Sequence, residues 1–217
     1  MTTTLILLRH GQTDWNAEGR FQGQHDVPLN DIGIGQAEMA GRALATMRPE
    51  VIYCSPLGRT RQTAEPLARI TGLDPIFDDR LKEIHVGTWE GLSWQQVDEI
   101  DPAFREGLRA GEDMRRSAEG ETAMETGERS AAALRDIAAA HHGQRVVVVS
   151  HGIALKQGIA AFLGWDWEHS TNLGHFDNCS WAVLQQVPAG WVLAAYNVNA
   201  QAVMALLADP SAEQQEV

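Results

Sequence analysis

Three features of the chain predict a three-layer α/β/α fold with a mostly parallel central sheet, helices on both faces and an antiparallel hairpin near the C-terminal end. First, Leu5-Ile6-Leu7-Leu8 and Val146-Val147-Val148-Val149 are apolar at every position, as suits strands buried on both faces of a parallel sheet. Second, stretches of helical periodicity separate the strand-like runs, the signature of βαβ units. Third, Asn178–Val187 and Trp191–Val198 alternate apolar and polar residues around Pro188-Ala189-Gly190, the pattern of an antiparallel hairpin.

The first strand leads into an irregular segment from Asp14 to Pro28. Asn30 can cap a helix reaching about Met47, with Ile34, Ala37, Gly41, Leu44 and Met47 on one face. Val51–Cys54 reads as a short second strand. A helix from about Arg59 to Ile70 follows, closed by Gly72, and Pro66 inside it removes one hydrogen bond and predicts a kink. Asp74–Phe77 is a candidate third strand. Leu81 to Arg116 reads as short helices and loops over the sheet edge. Thr122 and Glu125 make a capping box for a helix from about Ala123 to His141, with Leu134, Ile137 and Ala138 inward and Gly143 as the residue that ends it. The strand at 145–149 and a helix from about Ile153 to Leu163 precede the hairpin.

At 217 residues the chain can build one well-buried core without a second domain. The reading is a single domain over 1–208, with a lid-like segment at about 85–120 and a disordered tail over 209–217. A formal net charge of −12 argues against nonspecific nucleic-acid binding and against docking on an anionic membrane. It leaves room for an anionic small substrate in a cleft lined by arginines. The two cysteines, Cys54 and Cys179, lie in or beside strands and read as buried thiols. The N-terminus lacks the basic region and apolar length of a signal peptide, which points to a cytoplasmic protein. Trp165-Asp166-Trp167 and the hairpin edge are candidate contact surfaces for a homodimer.

Both apolar runs end in an imidazole followed by glycine: Arg9-His10-Gly11 and Ser150-His151-Gly152. In open α/β sheets ligands bind beyond the carboxyl ends of the strands, so the two rings are expected to face one crevice. A neutral imidazole is a competent nucleophile at neutral pH. Arg9 and Arg59 would keep it uncharged and bind a dianionic phosphoryl group, since phosphoryl transfer mainly requires in-line positioning and cations around the equatorial oxygens. Glu83 could supply the proton that a leaving alkoxide needs.

At these residues the sequence resembles the histidine phosphatase superfamily, also called phosphoglycerate mutase-like. The likeness runs through Leu8-Arg9-His10-Gly11-Gln12-Thr13-Asp14-Trp15-Asn16, Phe21-Gln22-Gly23, Ser55-Pro56-Leu57-Gly58-Arg59-Thr60-Arg61-Gln62-Thr63-Ala64, Leu81-Lys82-Glu83-Ile84-His85-Val86-Gly87-Thr88-Trp89-Glu90-Gly91, Gly120-Glu121-Thr122 and Ser150-His151-Gly152. The resemblance implies a transient phosphohistidine at His10 and a phosphate clamp of Arg9, Arg59 and His151. It makes Glu83 the proton donor and then the base for water. Asn16, Gln22, Gly23 and the Gly152 amide would line the phosphate and substrate pocket, with no metal and no cofactor required. The substrate would be a small-molecule phosphomonoester.

Glu83 and His151 lie closer in sequence than in the glycolytic mutases of the superfamily, which favours hydrolysis over isomerisation. Arg9-His10-Gly11-Gln12-Thr13-Asp14, Asn178-Cys179-Ser180-Trp181 and Tyr196-Asn197-Val198-Asn199-Ala200-Gln201 resemble the glucosyl-3-phosphoglycerate phosphatase branch, whereas Ala118-Glu119-Gly120-Glu121-Thr122 departs from its Gly-Gly-Glu-Ser. His85 follows the acid by two and is a candidate substrate contact. Arg115-Arg116 reads as a solvated basic pair unless the loop folds inward, when it could receive a substrate carboxylate or second phosphate. His141 and His142 read as a solvated helix end, where imidazolium suits the dipole. Trp15, Trp89 and Trp94 are candidates to wall the pocket. Gly33-x-Gly35 follows no strand and lacks the third glycine of a dinucleotide loop.

Overall fold

The computed structural model describes residues 2–200, and the expected tail over 209–217 lies outside them. Its sheet has six strands: β1 (Thr4–Arg9), β2 (Val51–Cys54), β3 (Ile76–Phe77), β4 (Arg145–Ser150), β5 (Trp181–Val187) and β6 (Gly190–Val198). Their order is β3-β2-β4-β1-β5-β6. The first four run parallel and β5 and β6 are antiparallel.

The continuous apolar runs owe their composition to burial on both faces. Ile6, Leu8, Val147 and Val149 pack on one face with Ala37, Ala40 and Leu44 of α2 (Asp31–Thr46) and Ala64 and Leu67 of α3 (Gly58–Thr71). Leu5, Leu7, Val146 and Val148 face the other way, against Leu134 and Ile137 of α6 (Ala123–Ala140) and Leu155 and Ile159 of α7 (Gly152–Phe162). A one-residue register slip would leave both cores facing similar residues, so the pairing of Arg9 with Ser150 at the strand ends is fixed largely by the loops that follow.

Several sequence expectations change in detail. Asp14–Pro28 is not wholly irregular: Thr13 and Asn16 form a reciprocal cap on the single turn of α1 (Asp14–Ala17), with asparagine doing the work usually given to glutamate or glutamine. The third strand shrinks to Ile76–Phe77. Helix α3 carries Pro66 in its interior and closes, as expected, at the left-handed Gly72. Ile34 is 49% exposed, because the inward stripe of α2 consists of Gly33, Ala37, Ala40, Gly41 and Leu44. Small residues there bring the helix close to the loop that follows β1: a Cβ on Gly33 would sit 2.0 Å from the carbonyl oxygen of Gln12. The region over the sheet edge contains α4 (Trp94–Ile100) and α5 (Pro102–Arg109), with a small core of its own made by Ile84, Val86, Trp89, Val97 and Phe104. The short α8 (Trp167–Thr171) completes the chain order before the hairpin. Cys54 and Cys179 are free and buried. No helix among the described residues is long and apolar enough to cross a membrane.

Candidate active site

The carboxyl ends of β1 and β4 present His10 and His151 side by side, with ring centroids 5.2 Å apart. The His10 backbone is pinned between both neighbouring strands. Its N–H donates to the Ser150 carbonyl at 3.0 Å, and its own carbonyl accepts from the Cys179 N–H at 3.2 Å. The side chain is 2% exposed. His10 Nδ1 lies 2.6 Å from the Gly11 carbonyl oxygen, a partner that can only accept. Nδ1 therefore carries the proton, and Nε2 presents its lone pair. Burial first, then the charges of Arg59 and Arg9, hold the ring's pKa well below the usual histidine value, against the opposing Gly11 bond. His10 is neutral at pH 7.

His151 ends β4 in the same way but finds different partners. Its Nδ1 accepts from Arg59 Nε at 3.2 Å, which places the proton on Nε2, where it donates to the Ser55 hydroxyl at 2.8 Å. The ring is fully buried, and burial followed by the Arg59 charge lowers its pKa strongly.

Arg59 stands in the first turn of α3, wholly buried. Besides His151 it donates to the carbonyls of His25 at 2.7 Å and Gly23 at 2.8 Å. Gly23 can offer that carbonyl because it adopts φ +54, and a Cβ there would meet Val86 at 2.6 Å. Burial draws the Arg59 guanidinium down to about 10, so it stays charged at neutral pH. Arg9, at the end of β1, donates through Nη1 to the Phe176 carbonyl and approaches His175 at 3.3 Å. Its Nε is buried with no partner. A buried unpaired donor on a cation is costly unless something anionic meets it.

Glu83 bridges the sheet to α7. Its Oε1 accepts the N–H groups of Ile84 at 3.0 Å and Ala154 at 2.9 Å, and Oε2 accepts that of Ile153 at 3.2 Å. The last two are orphan donors of the α7 N-terminus, a place that favours negative charge. Asn16 Oδ1 accepts from Thr13 N at 3.1 Å and from Asn178 Nδ2 at 3.2 Å, which leaves the Asn16 amide NH₂ turned to other use. Gln22 is 8% exposed and its Oε1 has no partner.

Arg9, His10, Asn16, Gln22, Gly23, Arg59, Glu83 and Gly152 all line one cavity of about 490 Å³. Two of the expected site residues do not. His151 lies behind His10 and Arg59. His85 is turned aside, its Nδ1 toward the Glu119 carbonyl at 3.0 Å and its N–H toward Glu121 at 2.8 Å, because the Glu121–Arg129 ion pair at 2.8 Å fastens that loop to α6.

The cavity also gathers residues that sequence reasoning passed over: Lys156 and Ile153 on α7, His175, Phe176 and Asn178 in the loop before β5, and Phe104 and Leu108 on α5. Helical spacing from Gly152 through Ile153 to Lys156 was the one available signal for Lys156. Trp15 and Trp94 line the cavity, whereas Trp89 is buried in the small core beside it. The basic pair divides. Arg115 is exposed and pairs with Glu125 at 2.5 Å. Arg116 is not solvated: it is 7% exposed, lines the cavity and stacks over the Phe104 ring. At the end of α6, His142 is exposed as expected, while His141 is half-buried and bridges Gln144 at 2.8 Å and the Tyr53 hydroxyl at 3.1 Å.

Residues 5–199 match the model of the histidine phosphatase superfamily (branch 1). A probable phosphoglycerate mutase of Salmonella arizonae is 37% identical over 194 residues, 87% of this chain and 90% of that one. Mycobacterial glucosyl-3-phosphoglycerate phosphatase, solved with VO3, superposes with a TM-score of 0.82 at 33% identity, covering 90% of this chain and 99% of its own. A phosphoserine phosphatase mutant of Entamoeba histolytica, solved with phosphoserine, gives a TM-score of 0.81 at 27% identity over 93% and 99%. The chain belongs to the histidine phosphatase superfamily and has its phosphoglycerate mutase-like α/β fold.

Proposed function

We propose that this superfamily member is a metal-independent phosphomonoester hydrolase that acts on small phosphorylated metabolites through a phosphohistidine at His10. The observation that carries the reading is the state of that ring. It is neutral, it is oriented by the Gly11 carbonyl through Nδ1, and its Nε2 faces a cavity that also holds Arg9, Arg59 and Glu83.

In the first step His10 Nε2 forms a bond to phosphorus as the bond to the ester oxygen breaks. Arg9, Arg59, the Asn16 and Gln22 amides and the Gly152 N–H offset the negative charge on the three equatorial oxygens. Glu83 gives a proton to the leaving alkoxide. In the second step the same carboxylate takes a proton from water, which attacks phosphorus and releases Nε2. The Nδ1–H bond to Gly11 persists throughout and stabilises the phosphorylated ring. His151 holds Arg59 in place. For it to touch the phosphate directly, its Nε2–H must leave the Ser55 hydroxyl.

The neighbours that hydrolyse glucosyl-3-phosphoglycerate and phosphoserine support hydrolysis, and the first of these substrates is the specific candidate suggested by the local sequence. A second reading, return of the phosphoryl group to the substrate's own hydroxyl, is favoured by the relatives named as probable phosphoglycerate mutases. Incubating the protein with 3-phosphoglycerate and with glucosyl-3-phosphoglycerate separates the two. Phosphate release without 2-phosphoglycerate supports the hydrolase, and isomerisation faster than release overturns it.

A further inference from the structure

Arg9, Asn16 and the backbone of His10 are all held from one short stretch of chain. Residues 174–180, between α8 and β5, belong to neither helix nor strand. The Phe176 carbonyl accepts from Arg9 Nη1. Asn178 Nδ2 donates to the His10 carbonyl at 3.0 Å and to Asn16 Oδ1 at 3.2 Å. The Cys179 N–H gives the His10 carbonyl a second bond. This loop therefore aims the Arg9 guanidinium, turns the Asn16 amide and seats the residue that carries the reactive ring.

Such a loop keeps its shape through what fastens it from outside, and the β5–β6 hairpin supplies the fastening. Trp181 pairs with Val198 and Val183 with Ala195, so two steps along β5 match three along β6. Bulges of this kind re-aim side chains and often sit beside active sites. Within it Asn197 takes φ +55, a left-handed conformation that asparagine tolerates better than most residues. Asn197 Oδ1 accepts from the Asp177 N–H at 2.8 Å, and Nδ2 donates to Asp177 Oδ2 at 2.9 Å. The Ser180 hydroxyl lies 2.6 Å from Asn197 Oδ1 and 2.8 Å from the Asp177 carbonyl, sharing its one proton between them. Reversing the amide would set a donor against the Asp177 N–H, so its orientation is fixed. Tyr196 continues the clasp: its hydroxyl donates to the Gly174 carbonyl at 2.8 Å, and its ring stands edge-on to Phe176 with centroids 5.2 Å apart.

We propose that Asn197 is a positioning residue of the phosphate site, clasping the loop through Asp177 so that Phe176 and Asn178 hold Arg9 and Asn16 in aim. Asn197 does not line the cavity, and its influence passes through the loop. The assignment rests on the phosphate-binding roles given to Arg9 and Asn16 above. A donor held off the equatorial oxygens stabilises the transition state far less than one aimed at them, and a misplacement of about 1 Å can cost about 10²-fold in rate.

The test starts with Asn197→Gly, which accepts the left-handed backbone and removes the side-chain clasp. Turnover of p-nitrophenyl phosphate and calorimetric binding of orthovanadate, an anion that can take a fifth ligand as the reacting phosphorus does, are measured well below the thermal transition. kcat/KM should fall by about 10- to 100-fold, mainly in kcat, and vanadate should bind more weakly by a similar factor. A residue that merely supports the fold would lower the melting temperature and leave both constants at the wild-type value. Asn197→Asp sets a second carboxylate against Asp177 and should show the same losses. Combining it with Asp177→Asn rebuilds the side-chain bond with donor and acceptor exchanged and should recover most of them. Should Asn197→Gly not fold, the exchanged pair decides. Wild-type constants in Asn197→Gly, or a double variant no better than Asn197→Asp alone, overturn the assignment. A wild type inert on p-nitrophenyl phosphate overturns the hydrolase reading instead, and the vanadate affinities then decide the role of Asn197.

Discussion

His10 and His151 stand at matching ends of two paired strands, each followed by a glycine, yet the fold gives them different chemistry. Both rings are buried, and the same guanidinium of Arg59 lowers the pKa of both. What separates them is the far nitrogen. His10 spends Nδ1–H on a backbone carbonyl and keeps a lone pair facing the cavity. His151 spends one nitrogen on Arg59 and the other on Ser55, so it has no lone pair free for attack. A local sequence pattern can place an imidazole, but only its second hydrogen bond decides whether it becomes a nucleophile or a support.

Substitutions should rank the two rings accordingly. Removing the proposed nucleophile in His10→Ala should lower kcat by about 10⁴-fold or more on every phosphomonoester, since loss of a covalent catalyst costs on that scale. His151→Ala leaves Arg59 without its side partner and should cost roughly 10²- to 10³-fold, the range of a displaced charge-stabilising donor. Equal losses for the two variants would erase the distinction between the rings. Steady-state kinetics on p-nitrophenyl phosphate and 3-phosphoglycerate measure both.

Glu83→Gln sharpens the contrast from the leaving-group side. It should slow alkyl phosphates by about 10²- to 10⁴-fold, the usual worth of general acid catalysis, and slow p-nitrophenyl phosphate much less. A parallel loss on both substrates would remove the acid role. Ser55→Ala tests the support alone: it touches His151 and no reacting atom. Outer partners of this kind commonly matter by about 10- to 100-fold. The loss should fall on kcat, and Ser55→Thr, which keeps the hydroxyl, should recover part of it.

The effect of pH is smaller but has a definite sign. Both rings have folded-state pKa values below the usual one near 6.5, because they are buried beside arginine. The unfolded chain therefore binds more protons than the native one as pH falls below about 6.5. Stability should be full above that value and decline toward acid, by up to about 1.4 kcal/mol per pH unit for each ring. Thermal melts between pH 7 and pH 5 should show this slope in the wild type and a shallower one in His10→Ala. Ring resonances that titrate at or above 6.5 by NMR would contradict it.

Much of this site could be read from the chain before any coordinates. Apolar runs set the strands, strand ends placed His10 and His151, and the resemblance across Ser55–Ala64 and Leu81–Gly91 added Arg59 and Glu83. The outer cavity could not be read that way. Lys156 sits at an unremarkable position on an apolar helix, and Arg116 looks like half of an exposed pair until Asp113 and Phe104 turn it inward. His85 shows the opposite failure, since its proximity to Glu83 in sequence suggested the pocket while Glu119 and Glu121 hold it aside. Ile34 failed because spacing identified the face of α2 but not how close glycine and alanine would bring that face to its neighbours. Each miss depends on contacts between segments far apart in sequence, which periodicity does not encode.

The most direct test of the difference between the two imidazoles is to trap the intermediate. Rapid mixing with ³²P-labelled substrate, followed by alkaline quench and peptide mapping, should find a phosphoramidate on His10 in the wild type, persisting at lower yield in His151→Ala and absent from His10→Ala. Label on His151, or multiple turnovers in wild-type protein that never carries label, would contradict the account.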